Sequence, residues 1–290
     1  MIVTLPPTAG ASASYVLHER AQRFHGAGAG ALSIKSFYGG RALYTLGRAR
    51  FALDDSAYLV LNQGQEYAVT IESDAPVESF CVFFAAGLAE QVARDLGTPD
   101  DRLLAEPRGP TGGPPQFYER SYPHDAIVSP ALLELRRAIA ADRDEPGWLT
   151  ERLHGLLGRL LQAHRHVSRE VAAMPAARPA TRAELYRRLH IAREYIAACY
   201  DRPVALDDVA AAACMSPNHL IRSFREAFGQ TPHQYVVERR LERARHLLAH
   251  TRLSVTEIYL AVGFESLGSF SWLFRRRVGV SPAEYRRQTR

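Results

Sequence analysis

The sequence predicts an α+β protein with two domains, a strand-rich N-terminal domain and an all-α C-terminal domain. Between 31 and 84, short segments rich in β-branched and aromatic residues recur about every nine residues, which is typical of strands. From about 130 onwards, apolar residues recur at helical spacing. We expect a first domain over 1–172, a linker rich in alanine and proline over 173–182, and a second domain over 183–290.

Six segments of the first domain are predicted as strands: ALSIKSF, ALYTL, ARFAL, AYLVL, EYAVTI and ESFCVFF. They are separated by turn signals such as YGG, LDDSA, NQGQ and SDAP. Evenly spaced short strands predict a sandwich or a small barrel. Most of its aromatic residues are expected in the core, and one or two in a pocket for a small molecule. The pocket candidates are Tyr38, Tyr44, Tyr58 and Tyr67.

Helices are predicted at 87–96, 130–142 and 147–172, with a loop rich in proline and glycine at 106–125. The last of these helices has leucines along one face at helical spacing. That stripe either covers the barrel or meets a second copy of itself. In the second case 130–172 is a dimerisation segment, and the contacting residues are Leu153, Leu156, Leu157 and Leu160.

The basic residues are concentrated at the C-terminal end. Residues 181–290 contain 18 arginines, no lysine and 11 acidic residues, a formal charge of +7, whereas 1–180 has a charge of −2. This asymmetry indicates a polyanionic partner for the second domain, or else a solvated basic surface.

Several other classes of protein are disfavoured. The chain has no segment of about 18 apolar residues, and its N-terminus lacks the pattern of a signal peptide. We therefore expect a cytoplasmic protein that contacts no membrane. Cys81, Cys199 and Cys214 lie far apart without a CxxC pair, which favours reduced thiols over disulfides or zinc.

An enzyme with a metal in the barrel is also disfavoured, because such a site needs clustered histidine and carboxylate ligands. Residues 31–84 contain no histidine, while His18 and His25 precede the predicted strands. The carboxylates in or beside strands, which are Glu66, Glu72 and Glu78, are expected to lack an imidazole partner. We expect no metal, no cofactor and no catalytic residue, and a solvated His164.

The C-terminal domain contains an internal repeat at an offset of 50 residues. The blocks SPNHLIRSFREAFGQTPHQY and SLGSFSWLFRRRVGVSPAEY align without a gap and share six identities. Each begins with a serine that suits a helix N-cap, Ser216 or Ser266. Each also contains a glycine, Gly229 or Gly279, that suits the left-handed residue ending a helix.

A shorter helix is predicted before each block, at 206–214 and 254–264. A short helix, a tight turn and a capped helix form a helix-turn-helix, so two such motifs are predicted, at about 206–229 and 254–279. Between them, 232–250 is one helix of about 28 Å. That length is close to the ~34 Å between successive major grooves on one face of DNA. This favours double-stranded DNA over RNA, whose major groove is too narrow for a helix.

The segments SPNHLIRSFREAFGQTPHQYV, RLERARHLL, VGFES and FRRRVGVSPAEYRR resemble the DNA-binding domain of the AraC/XylS (arabinose-operon regulator) family of bacterial transcription regulators. The resemblance covers about the last 105 residues and implies two helix-turn-helix motifs that enter the major groove. It further implies that 31–84 is a cupin-like barrel that senses an effector and that 130–172 contains dimerisation helices.

In the first motif, the second helix is expected to present Asn218, Ile221 and Arg222 to the bases. Asparagine pairs with adenine, arginine with guanine, and isoleucine packs on a thymine methyl group. The family resemblance implies base contacts at the same three positions. Arg225 and Ser216 are expected to contact the DNA backbone, which positions the protein without specifying sequence. The alternative is a solvated polar face.

The second motif departs from the family pattern. Trp272 aligns with Arg222, at a position where the family often has arginine, and Gly268 aligns with Asn218. We favour base contacts by Ser269 and Trp272, the latter through thymine methyl groups or sugar edges. The DNA-backbone contacts of this motif are expected from Ser266, Arg275 and Arg276. Alternatively, Trp272 packs against a neighbouring helix, and this half binds mainly through the arginines.

The sequence therefore predicts a DNA-binding transcription regulator. Expected partners are double-stranded DNA, RNA polymerase, a small-molecule effector and a second copy of the chain. A regulator without a small ligand, controlled by a protein partner or by abundance, is the alternative. A cupin-type metalloenzyme tethered to DNA is the weaker third possibility. The sequence leaves open the effector, the DNA site and whether the protein activates or represses.

Overall fold

The computed structural model of the protein describes residues 13–96, 115–142, 145–174 and 178–289. They form two compact units, Met1–Arg187 and Arg188–Arg290. The first unit contains a β-sheet with helices, and the second is helical. No helix in the described ranges is long and apolar enough to cross a membrane. Much of the loop predicted at 106–125 lies outside the described residues.

The strands of the first unit are β1 (Tyr15–Ala29), β2 (Ser33–Tyr38), β3 (Ala42–Leu46), β4 (Ala49–Leu53), β5 (Ala57–Leu61), β6 (Glu66–Phe83) and β7 (Ser121–Pro123). They pair antiparallel in the order β4-β3-β6-β2-β5-β7, and β1 pairs with β6. Because β6 is 18 residues long, its edge opposite β1 pairs first with β3 and then with β2. The sheet is therefore strongly curled and nearly closed, like a barrel.

Two strand predictions need correction. The sequence did not predict β1, and His18 and His25 lie within it rather than before the strands. The segments EYAVTI and ESFCVFF belong to the single strand β6. The turn signal SDAP does not end this strand, because the pairing with β1 passes from Ala21 opposite Val77 to Arg23 opposite Glu72. The intervening residues of β6 form a bulge.

The helices of the first unit are α1 (Leu88–Asp95), α2 (Ser129–Ala140) and α3 (Pro146–Ala172). Their apolar faces share one core with the side of the sheet formed by Ile34, Tyr58, Val60, Phe80 and Val82. The leucines assigned to a dimer contact are in this core, each no more than 1% exposed; they are Leu153, Leu156, Leu157 and Leu160. This corrects their assignment to a dimer surface, because they are already covered within one chain. The leucine stripe packs on the sheet, as in the first of the two alternatives.

The next helix, α4 (Pro179–Cys199), begins inside the segment predicted as a linker. Proline suits the first turn of a helix because it lacks the backbone N–H that would be unpaired there. Residues 179–182 are therefore helical, although the composition of 173–182 had favoured an irregular linker.

The second unit continues with α5 (Leu206–Ala212), α6 (Pro217–Phe228), α7 (Pro232–His250), α8 (Val255–Ala261), α9 (Leu267–Val278) and α10 (Pro282–Thr289). The helix predicted at 232–250 matches α7 at both ends. A core formed by α7, α8 and α9 includes Leu248, Ile258, Phe270 and Phe274, all fully buried. Leu220 and Phe224 bury the corresponding face of α6.

Candidate nucleic-acid interface

The two repeat blocks form helix pairs of matching dimensions. We call α5 with α6 the first helix pair and α8 with α9 the second helix pair. The leading helices have 7 residues each and the following helices 12 each. Both following helices end at a left-handed glycine, Gly229 with φ 71° and Gly279 with φ 93°. These glycines occupy the positions predicted for them, since a residue without a Cβ adopts this conformation without strain.

The serine caps differ between the pairs. The hydroxyl of Ser266 accepts a hydrogen bond from the backbone N–H of Ser269, as a capping residue does. Ser216 also occupies the N-cap position, but its side chain makes no capping hydrogen bond. Pro217 follows Ser216 and has no N–H, so the helix start has one donor fewer that needs an acceptor. The Ser216 hydroxyl is exposed at the start of α6.

The turns inside the two pairs have the same hydrogen-bond pattern. In the first pair the N–H of Met215 donates to the carbonyl of Ala210, and in the second pair the N–H of Phe264 donates to that of Tyr259. The residue before each donor is left-handed, Cys214 with φ 51° and Gly263 with φ 85°. This is the Schellman arrangement that ends a helix. In each helix pair, this arrangement lets the chain turn sharply into the following helix.

One face of α6 brings four of the predicted DNA contacts together. Asn218, Arg222 and Arg225 are exposed, and Ile221 between them is half-buried. They line one open depression, to which Glu226 and Thr231 also contribute. Positions three and four apart share a helix face, so this surface is continuous and not blocked by the core. It presents amide and guanidinium donors beside an apolar group.

The matching face of α9 presents few hydrogen-bond donors near its start. Gly268 and Ser269 are exposed, and Trp272 is 58% exposed, so the indole is outside the core of the described chain. Arg276 lies over the indole, its Cζ atom 5.0 Å from the ring centroid. Such a cation–π contact orients the ring. The alternative in which Trp272 packs inside the domain therefore does not describe this structure. Arg275 is also exposed.

Helix α7 connects the two pairs and is fixed at its start and near its middle. A capping box starts it, because the side chain of Thr231 accepts from the backbone of Gln234 and the side chain of Gln234 accepts from the backbone of Thr231. Further along, Arg240 donates from Nε to the carbonyl of Tyr200 at 2.7 Å and from Nη2 to that of Arg202 at 3.0 Å. These bonds attach α7 to the loop after α4.

Comparison with known proteins agrees with this geometry. Residues 209–288 match the family model described as a helix-turn-helix domain. The HTH-type transcriptional regulator ArgR of Pseudomonas aeruginosa is 39% identical over 90 residues, 31% of this chain and 27% of that protein. The HTH-type transcriptional activator RhaR of Escherichia coli K12 is 31% identical over 171 residues, 57% of this chain and 57% of that protein. The C-terminal region of the chain is therefore similar to the DNA-binding domains of HTH-type transcription regulators, in agreement with its resemblance to the AraC/XylS family.

The match to these relatives is partial, since the chain spans less than two thirds of the length of either. A solved transcriptional regulator with an AraC-type DNA-binding domain, from Chromobacterium violaceum, is 36% identical to this chain. That likeness covers 36% of this chain and 93% of the other, with a TM-score of 0.35. The match to the helix-turn-helix family model, residues 209–288, includes most of the two helix pairs.

The four tyrosines predicted to line an effector pocket lie on opposite sides of the sheet. Tyr58 is fully buried against the helices, and its hydroxyl donates to Asp125 at 2.9 Å. Tyr38 lies on that same side, beneath the guanidinium of Arg136 at 3.7 Å. These contacts give both residues a place in the packing between sheet and helices. They correct the prediction that all four tyrosines share one pocket, because Tyr38 and Tyr58 pack with the helices whereas Tyr44 and Tyr67 do not.

Tyr44 and Tyr67 lie together inside the curl of the sheet, with ring centroids 5.6 Å apart. Phe37 packs 5.8 Å from Tyr44. Burial raises the pKa of Tyr67 to about 12 and that of Tyr44 well above its usual value, so both phenols are neutral. The ammonium of Lys35 lies 5.5 Å from the Tyr67 ring centroid. Lys35 was not among the residues predicted to line a pocket, although it is the only lysine in the chain and could have been noticed for that reason.

Two expectations about histidine were wrong. His18 Nε2 lies 2.9 Å from a carboxylate oxygen of Glu78, and His25 Nε2 lies 3.5 Å from one of Glu72, so these carboxylates do have imidazole partners. His164 is stacked on Tyr118 and half-buried rather than solvated, and burial lowers its pKa. Nevertheless, the described residues contain no group of three or more potential ligands arranged to hold a metal ion.

Proposed function

We propose that the protein is a transcription regulator that binds specific sites in double-stranded DNA through two helix-turn-helix motifs, 206–229 and 254–279. The observation that most supports the proposal is the repeat of helix pairs, each with a 12-residue following helix whose outer face is exposed. The relatives ArgR and RhaR are named as HTH-type transcription regulators. A basic second domain is also suited to a polyanion.

In this proposal, the α6 face reads bases by hydrogen bonding. Asn218 and Arg222 supply donors that match adenine and guanine in the major groove, while Ile221 suits a thymine methyl group. Arg225 and Ser216 contact phosphates at the rim. On α9, Trp272 and Ser269 contact the groove, and Ser266, Arg275 and Arg276 bind the backbone. Sequence discrimination would then come mainly from α6.

We further propose that the first unit is a cupin-like sensor whose curled sheet binds a small-molecule effector, and that the protein acts on RNA polymerase as a homodimer. The support for a sensor is the aromatic cluster inside the sheet around Tyr44 and Tyr67. A dimer would use a surface other than the buried leucines of α3. In this proposal the function of the protein is regulatory rather than catalytic, in line with the named functions of the relatives.

Selection of random double-stranded DNA by the purified protein tests the central claim. We expect a preferred motif with two parts, one of which has strong base identity and the other weak identity. Replacing both Asn218 and Arg222 by alanine should erase the strong part and leave the weak one. Enrichment of no motif by the intact protein would refute the proposal. Sedimentation of the same preparation with and without the selected DNA tests the homodimer.

A further inference from the structure

Lys35 has an unusual environment for a lysine. It is the single lysine in a chain whose other strongly basic residues are all arginine, and it is only 1% exposed. Its ammonium lies over the ring of Phe83, 3.6 Å from the centroid. Among the described residues, no carboxylate lies within ion-pair distance of it. A lysine of this kind is rare, because removing a charge from water without a paired counter-charge is unfavourable.

The pKa of Lys35 agrees with the absence of a paired carboxylate. Burial lowers the pKa of Lys35 to about 8, and the Cys81 thiol opposite it on β6 offsets only part of that effect. A nearby carboxylate would raise the pKa of an ammonium. The lowered pKa therefore indicates a cation that lacks its counter-charge.

Ser33 provides a second, independent observation. It lies two residues before Lys35 on β2, so both side chains face the same side of the strand. The Ser33 hydroxyl is buried and has no hydrogen-bond partner in the described part of the chain. Buried polar groups are nearly always hydrogen-bonded, and exceptions point to an additional partner such as a ligand. A buried cation without a paired carboxylate and a buried hydroxyl without a hydrogen-bond partner thus lie on the same face of β2.

The surroundings of these donors are apolar and aromatic. Opposite Ser33 and Lys35 on the neighbouring strands are Leu61, Phe83 and Leu59. The ring centroid of Tyr67 lies 5.5 Å from Lys35 Nζ, and that of Tyr44 lies 5.6 Å from Tyr67. One cation in such a setting neutralises one negative charge, so a phosphate dianion would keep an unpaired charge. An anion with one charge and an apolar body suits these residues better.

We propose that the inner face of the sheet binds an organic monocarboxylate, whose carboxylate accepts hydrogen bonds from Lys35 Nζ and the Ser33 hydroxyl and whose apolar body contacts Tyr44, Tyr67 and Phe83. This rests on the proposed sensor role of the first unit, and it specifies the chemical class of the effector. Bringing a carboxylate to Lys35 supplies the missing counter-charge and gives the Ser33 hydroxyl an acceptor. Because a neutral analogue of the same size supplies no negative charge to Lys35, it would bind less tightly.

The test uses the intact chain without DNA and pairs of acids with their neutral amides: butyrate, octanoate, benzoate, phenylacetate and indole-3-acetate. Thermal denaturation and calorimetry should show at least one acid that binds at least about tenfold more tightly than its amide. Lys35→Met should abolish this preference, and Ser33→Ala should weaken it. Arg48→Met, which removes a cation from an exposed turn, is the matched control and should leave it intact.

A second measurement does not depend on the stability of the variants. Because the chain has one lysine, labelling lysine at Cε with ¹³C gives a single side-chain resonance whose pH titration reports Lys35 alone. The bound acid should raise its pKa. The proposal is overturned if no acid binds better than its amide, if binding leaves that titration unchanged, or if Lys35→Met without ligand melts well below the native protein. In each case DNA selection still tests the regulator itself.

Discussion

Arg276 and Trp272 are stacked on the exposed face of α9, with 5.0 Å between the guanidinium carbon and the indole centroid. They are four residues apart, which places them one above the other on a helix. The stack keeps an aromatic surface available for DNA and places a positive charge beside it. In the repeat, the residue of α6 that aligns with Trp272 is Arg222, which is also exposed. The two helix pairs therefore share a backbone plan but offer different chemistry to the groove.

Replacing Trp272 by arginine should make the second helix pair resemble the first. A guanidinium at this position can form two hydrogen bonds to guanine, which the indole cannot. We expect the weak part of the selected DNA motif to gain a guanine preference, while the part read by α6 stays unchanged. Selection of random DNA by the Trp272→Arg variant measures this. A new preference confined to the α6 half would contradict the assignment.

Alanine at Arg222 and at Arg276 should have different consequences. Loss of Arg222 should cost about 1–3 kcal/mol of binding free energy on the best site and relax specificity at one base pair. Loss of Arg276 should weaken all sequences alike and reduce the dependence of affinity on salt, because a phosphate contact is lost. Titrations of both variants against a set of single-base operator variants distinguish the two patterns. Uniform losses for both would show that α6 does not read bases through Arg222.

The equivalent turn residues Cys214 and Gly263 should respond oppositely to substitution. Gly263→Ala should lower the free energy of unfolding by about 1–3 kcal/mol, because left-handed backbone is strained for alanine. The new Cβ would also lie 2.7 Å from the Asp201 carbonyl oxygen. Cys214→Gly removes a side chain from the same conformation and should raise stability by about 0.5–1 kcal/mol. Urea denaturation measures both. A stabilising Gly263→Ala would contradict the turn geometry.

Local sequence patterns predicted much of this fold. The bounds of β3, β4, β5 and α7 coincide with the predicted segments, because each has its own alternation or helical period between clear breaks. The patterns Thr231–Gln234 and Ser254–Glu257 are typical of capping boxes, and both boxes form with reciprocal hydrogen bonds. Signals of this kind depend on a few adjacent residues, so they can be recognised in a single sequence.

Features that depend on distant partners were not predictable in the same way. Strand β1 contains charged residues and glycines, and its extended form is maintained by pairing with β6 over nearly its whole length. Strand β2 is buried on both faces, so alternation did not show that Lys35 faces inward and Tyr38 outward. Cys214 is left-handed without being glycine, asparagine or aspartate, the residues that signal such a turn. Each case is decided by tertiary packing.

The carboxylate of Glu78 joins β6 to both β1 and α2, and its removal should reduce the loss of stability in acid. Arg136 Nε donates to it at 2.5 Å and Arg20 Nη2 at 3.2 Å, and His18 is 2.9 Å away. The bond from Arg136 is the main reason that the pKa of Glu78 falls to about 2, although burial opposes the shift. A carboxyl group whose pKa is lower in the folded state stabilises the protein above its unfolded pKa, and this stabilisation is lost as pH falls toward the folded pKa.

Glu78→Gln should therefore lower the free energy of unfolding at pH 7 by roughly 1–3 kcal/mol, since it leaves cationic groups without their partner. Between about pH 5 and pH 2, the variant should lose less stability than the native protein, because the titrating carboxylate is gone. Glu72→Gln is the matched control. Its carboxylate is exposed and 3.5 Å from an exposed His25, so little change is expected. Urea denaturation at stepped pH values measures both variants, and parallel pH dependences for Glu78→Gln and the native protein would exclude this role.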